Sequence, residues 1–181
     1  MKPIVTVPNP VLTAPAAAVT AFDRTLAALL THMRETLLAT VDPKGVGLAA
    51  PQVGVSLRVF ITKPTVKAPI REFINPTIMR RTGDLTNGVP ERGNKLEGCL
   101  SIPHIWGKVS RTSSLTLRYQ DAKGTAHEES FKGFIATIIQ HETDHLSGIL
   151  FTQRVLEQKG VLYQIVHDEE GKEVLEEIPL H

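Results

Sequence analysis

Residues 140–148 read QHETDHLSG, and the HETDH inside them joins a demand of conformation to one of chemistry. On an α-helix, residues four apart stand on one face. A helical reading therefore brings His141 and His145 together and sets Glu142 beside them. Flanking Ile138, Ile139 and Leu146 put that helix largely inside the molecule, where two imidazoles without partners would be costly. The spacing predicts a buried helix over 133–147, closed by Gly148. Both rings would then turn to one metal ion, with Glu142 in reach of water activated there. A pattern of three fixed positions in five also arises by chance, and in that case the helix merely contains histidines.

The rest of the chain supplies what such a helix needs to pack against. Residues 22–40 form an amphipathic helix, with Leu26, Leu29, Leu30, Met33, Leu37 and Leu38 at helical spacings and Asp23 in place to cap the first turn. Residues 57–62 and 115–120 read as strands, the second turning at Asp121–Gly124 into a partner near 126–131. The polar stretch 82–94, TGDLTNGVPERGN, reads as an exposed and mobile loop. The tail predicts a terminal hairpin turning at Asp168–Gly171. With no internal repeat, low-complexity run or linker, the expectation is one α+β domain over 1–181.

Composition narrows the class. A hydrophobic content of 41% and a charged content of 22% are those of a globular protein, and 181 residues are enough to bury a core. A net charge of +1 without a basic stripe gives no reason to invoke nucleic acid. No stretch approaches the roughly 20 apolar residues of a membrane span. The start, MKPIVTVPNPVL, lacks the layout of a secretory signal. A cytoplasmic location is expected, or an organellar one if a transit peptide has been removed.

Two histidines need a third ligand. Downstream candidates are His167, Glu169, Glu170 and Glu173, all in the charged tail hairpin. Upstream stands LEGCLSIP (96–103), an extended stretch ended by Pro103, with the chain's one cysteine, Cys99. A lone cysteine is most simply a buried small hydrophobe, but its place in so distinctive a segment favours a ligand. A thiolate with two imidazoles leaves a fourth position open, the layout of a catalytic metal. A third segment, GVGLAAPQ (45–52), is a tight turn by composition and matches neither common phosphate-binding glycine pattern.

Taken together, GVGLAAPQ (45–52), EGCLS (97–101) and QHETDH (140–145), in that order, closely resemble the signature segments of the peptide deformylase family. FINP (73–76), Val109-Ser-Arg111, Tyr119, Asp121 and Gly124 agree with it, and the resemblance covers roughly 5–155. It implies antiparallel or mixed β-sheets packed around a central helix carrying the HExxH motif, with one further helix near the N-terminus. It also implies removal of the N-formyl group from the N-terminal methionine of nascent polypeptides near the ribosome, by a monomer.

Carried over, the metal ligands are Cys99, His141 and His145, and Glu142 is the general acid/base. Gln52, through its side-chain amide, and Leu100, through its backbone N–H, would stabilise the oxyanion. The implied substrate-facing residues are Val46, Gly47, Glu97, Gly98, Trp106, Phe134, Thr137 and Ile138. The ion would be Fe²⁺, with Zn²⁺ a common occupant and Ni²⁺ or Co²⁺ equally allowed by the ligand types. Glu97 is a candidate partner for a ligating histidine, or for Arg111. Asp144 is read as structural.

The sequence departs from the family at Thr13, where relatives commonly carry arginine, and at Trp106, where some bacterial members have arginine. Phe134 would narrow the methionine pocket, and the tail reads as a hairpin rather than a helix. Two other readings compete: a zincin-like endopeptidase, which leaves Cys99 and Gln52 without a role, and a catalytically silent binding protein.

Overall fold

The computed structural model describes residues 2–179. Helix α1 (Arg24–Ala39) begins where the sequence predicts, because the Asp23 carboxylate accepts hydrogen bonds from the Thr25 and Leu26 amides at 2.9 and 3.1 Å. Leu26, Leu29, Leu30, Met33 and Leu37 turn inward, while Leu38 points out to solvent. The inward face packs on Leu48, Val53, Val59, Ile61 and Ile74. Each such leucine fully withdrawn from water contributes about 1.5–3 kcal/mol.

The strands form two antiparallel sheets. Strands β1 (Gly47–Ala49), β2 (Val59–Thr62), β3 (Arg71–Leu85), β6 (Thr112–Gln120) and β7 (Ala126–Lys132) make a five-stranded sheet in the order β1-β2-β3-β6-β7. Strands β4 (Glu97–Cys99), β5 (Ile102–Gly107), β8 (Leu162–His167) and β9 (Glu173–Glu177) make the second, in the order β4-β5-β8-β9. Strands β1 and β4 therefore each present an unpaired edge within their own sheets.

Helix α2 (Phe134–Leu146) carries the HETDH residues and lies on the larger sheet, with Ala136, Ile139 and Leu146 packed among Phe60, Phe73, Leu115 and Leu117. It ends at Gly148, whose positive φ of 71° suits a residue without Cβ. The β6–β7 hairpin turns at Asp121–Gly124, and the β8–β9 tail hairpin forms as predicted.

Three readings are corrected. A third helix, α3 (Phe151–Glu157), follows α2. Only Phe151 and Val155 face the core from its seven residues, too short a pattern to stand out in sequence. The supposed loop 82–94 is strand as far as Leu85, where Thr82 pairs with Ser114 and Leu85 with Thr112 across a bulge. A long-range partner thus overrides local composition. The remainder is mostly exposed, as read, though Val89 is buried and backbone hydrogen bonds close the segment on itself. Pro103 does not end an extended stretch but lies inside β5, after a turn at Leu100–Ser101.

Asn75 of FINP sits at a second bulge in β3 with φ of 49°. Its side chain accepts from the Val19 amide and donates to the Val19 carbonyl and to Gln120, at 2.8–2.9 Å. That residue ties the N-terminal arm to the larger sheet.

Candidate metal centre and active site

Helical periodicity sets His141 and His145 edge to face, with ring centroids 4.9 Å apart. Cys99 arrives from the other sheet. The register of β4 against β5 shifts between Gly98 and Cys99, and such a bulge re-aims the side chain that follows. As a result one ligand atom from each of Cys99, His141 and His145 lies within 4.8 Å of the others, Cys99 and His145 being buried and the His141 side chain 12% exposed. The Cys99 Sγ stands 3.2 Å from His145 Nε2. One sulfur and two imidazole nitrogens converging at this scale suit a divalent ion with bonds of about 2.0–2.3 Å. The donor set fits a metal.

Each donor is held by its surroundings. His141 Nδ1 is 2.6 Å from Glu97 Oε1, which leaves Nε2 as the free nitrogen of that ring. Arg111 donates to both oxygens of Glu97 at 2.7 and 2.9 Å and to Asp144 at 2.9 Å. Arg154, from α3, closes the series on Asp144 at 2.7 and 3.2 Å. Burial alone would favour the neutral acid at Glu97, yet Arg111 and His141 hold its carboxyl well below the ordinary range. Burial likewise opposes charge on His141, but the Glu97 carboxylate outweighs it and raises that imidazole. For His145 burial prevails, and the ring is held in its neutral, ligand-ready form.

Glu142 faces the opposite strand. A Cβ built on Gly47 would collide with its carboxylate, so only glycine admits the close approach of β1 to α2. Burial lifts the Glu142 carboxyl to about 7, and its Oε2 is buried without a hydrogen-bond partner. Gln52 lies in a turn of 3₁₀ helix (Ala50–Val53) that follows β1. The Ala49 amide donates to its Oε1 at 2.9 Å. Its Nε2 is thereby turned toward Cys99 Sγ and Ser101 Oγ, at 3.5 and 3.3 Å.

These groups open onto a pocket of about 590 Å³ of free space including its mouth. Val46, Gly47, Gln52, Glu97, Gly98, Cys99, Leu100, Trp106, Phe134, Thr137, Ile138, His141 and Glu142 all line it, and His145 lies buried beside them. The structure thus brings together every site residue inferred from sequence. The alternative ligands do not join it: His167, Glu169, Glu170 and Glu173 are exposed in the tail hairpin.

Sequence reasoning missed other members. Arg154 was illegible because α3 was not foreseen. Asp144 is buried between Arg111 and Arg154, a structural role as read, but at the end of a chain of ion pairs that reaches His141. Lys44, Val89 and Arg92 also line the pocket, the last two from the segment read as loop.

Among the described residues no helix is long and apolar enough to cross a membrane. Comparison with known proteins agrees with the geometry. The family model described as polypeptide deformylase matches residues 1–160. Peptide deformylase 1 of Bacillus cereus is 42% identical over 148 residues, covering 82% of this chain and 88% of that protein. The crystal structure of peptide deformylase from Thermotoga maritima superposes with a TM-score of 0.76 at 36% identity, covering 85% of this chain and 97% of that one. A Met-Ala-Ser-bound class I type b peptide deformylase from Acinetobacter baumannii superposes with a TM-score of 0.74 at 34% identity, covering 85% and 98%. With the thiol, the two imidazoles and the carboxylate gathered at one pocket, and these relatives spanning most of its length, the chain belongs to the peptide deformylase family and is an enzyme of that type.

Proposed function

We propose that this enzyme removes the N-formyl group from the N-terminal methionine of newly made polypeptides, using a divalent ion held by Cys99, His141 and His145. The observation that carries the reading is the convergence of those three donors beside a partnerless buried carboxylate, Glu142, at a pocket bounded by two free strand edges. The relative from Acinetobacter baumannii binds Met-Ala-Ser, a tripeptide beginning with methionine, which supports a peptide substrate of this kind.

An extended peptide enters between the edges of β1 and β4 as an added strand, its backbone beside Gly47 and Gly98. Val46, Phe134, Thr137 and Ile138 receive the methionine side chain, and Phe134 shortens that space. When bound, the ion supplies Lewis acidity that makes water nucleophilic near neutral pH. Glu142, poised near neutrality by burial, accepts a proton from the attacking water and passes it to the departing nitrogen. The formyl C–N bond breaks as the new C–O bond is completed, giving formate and a free amine. The Gln52 amide and the Leu100 N–H donate to the oxygen on which charge develops, a contribution of about 3 kcal/mol per donor. Glu97 keeps a hydrogen on His141 Nδ1, which fixes the ring for ligation through Nε2.

The thiolate and two imidazoles accept Fe²⁺, Zn²⁺, Ni²⁺ or Co²⁺, and our reading takes Fe²⁺ as the working ion. Anaerobic purification with elemental analysis, followed by formate release from formyl-Met-Ala-Ser, tests the whole. About one ion per chain and a Glu142→Ala loss of roughly 10²–10⁴-fold in kcat are expected. Equal and slow formate release by wild type and Glu142→Ala would remove the catalytic claim.

A further inference from the structure

The mouth of the pocket carries a cation, Arg92, drawn only to the Glu97 carboxylate among the described residues, and that carboxylate is already paired with Arg111 and His141. Segment 86–96 folds back on itself through backbone hydrogen bonds from Arg92 to Val89 (3.0 Å), Lys95 to Arg92 (2.9 Å) and Val89 to Lys95 (3.1 Å). Val89, 2% exposed, anchors it. The Arg92 guanidinium is held over the Trp106 ring, 5.4 Å from its centroid, and that ring in turn lies against Gly98 of β4. Stacking of this kind fixes the position of a guanidinium without using its N–H donors. Among the described residues those donors make no hydrogen bond or ion pair, and half-burial disfavours the charge.

Lys44 lines the same pocket. Of the two carboxylates there, Glu97 is committed to Arg111 and His141, and Glu142 is buried against Gly47. The lip is thus electropositive, with a rigid five-donor fork turned to whatever peptide lies beside Gly98.

We infer that Arg92 is a specificity-determining residue that selects peptides with acidic side chains just after the N-terminal methionine. The inference rests on the deformylase reading for its substrate, and deepens it. The cation comes from the segment between β3 and β4, stacked on Trp106.

The test compares kcat/KM for formyl-Met-Glu-Glu-Ser and formyl-Met-Lys-Lys-Ser in the metal-loaded enzyme, alongside direct binding of the two deformylated products. The glutamate peptide should lead by about fivefold, the scale of a partly exposed charge pair, and added salt should shrink the ratio. Arg92→Ala and Arg92→Gln should bring the ratio toward one, while Arg92→Lys should keep most of it. A wild-type ratio near one, or a ratio unchanged in folded Arg92→Ala and Arg92→Gln, overturns the inference. If no formyl peptide is turned over while Met-Glu-Glu-Ser still binds better than Met-Lys-Lys-Ser, the deformylase reading fails and the role of Arg92 in selecting acidic peptides stands.

Discussion

Gly47 has the Glu142 carboxylate where a side chain would go, and Ile138 presses on the same spot. Any Cβ there forces the carboxylate aside, and a displacement of about 1 Å at a reacting group can cost about 10²-fold. Gly47→Ala should therefore lower kcat/KM by about that factor while metal content by elemental analysis stays near one per chain. Loss of metal together with activity would instead mean that β1 and α2 had separated. The glycine was visible in GVGLAAPQ, but its counterpart was not, because nothing local links position 47 to position 142. Gln52 is similar: its amide is named by the motif, whereas its orientation comes from the Ala49 amide that holds its Oε1.

At the scale of elements, α2 is joined to both sheets by polar contacts buried inside the molecule. Arg111, 6% exposed, lies between Glu97 of β4 and Asp144 of α2. Removing one member of such a buried set leaves uncompensated charge, at a cost of about 3–5 kcal/mol. Arg111→Ala should lower the urea midpoint accordingly, with the slope unchanged.

At the solvent-exposed margin of the face of the larger sheet that α2 covers, Arg71 of β3 donates to both oxygens of Glu129 of β7 at 3.0 and 2.6 Å, and Tyr119 of β6 donates to the same carboxylate at 3.1 Å. The hydrogen bonds from Arg71 hold the Glu129 carboxyl below its ordinary value. A depressed carboxyl stabilises the fold above its unfolded pKa of about 4.3 and ceases to do so as pH falls through the folded value. Wild type should accordingly exceed Glu129→Gln by less than about 1 kcal/mol near pH 7. The two should converge on acidification, as read by denaturation at stepped pH. Elements with long periodic patterns, α1 and α2, were legible in the sequence. Helix α3 and the far half of β3 were not, since a seven-residue helix and a glycine-containing strand are specified by what they pack on rather than by their own residues.

Across the whole molecule, the three donors join parts of the chain that share no sheet: Cys99 comes from the smaller one, and both histidines from the helix on the larger. An ion bound there cross-links the two, so its free energy of binding adds to that of folding. Stripping the metal with a chelator should lower stability by about 4 kcal/mol relative to protein with free metal at a thousand times its dissociation constant. Cys99→Ala should show little response to the same treatment, with calorimetry as the readout. The signature segments announced every donor, because their spacing is a property of the chemistry. Their supports, Arg154 above all, depend on tertiary contacts that the sequence does not spell out.

Strand β9 is the outer edge of the smaller sheet, with Glu173, Glu176 and Glu177 along its five residues and Val174 and Leu175 half-exposed between them. An open edge with apolar residues invites a second molecule to stack on. In an antiparallel self-pairing centred on Leu175, however, each Glu173 would meet a Glu177, and like charges face to face resist that union. Among the described residues that edge is uncovered, and the facing carboxylates stand where they would oppose the docking of a second copy.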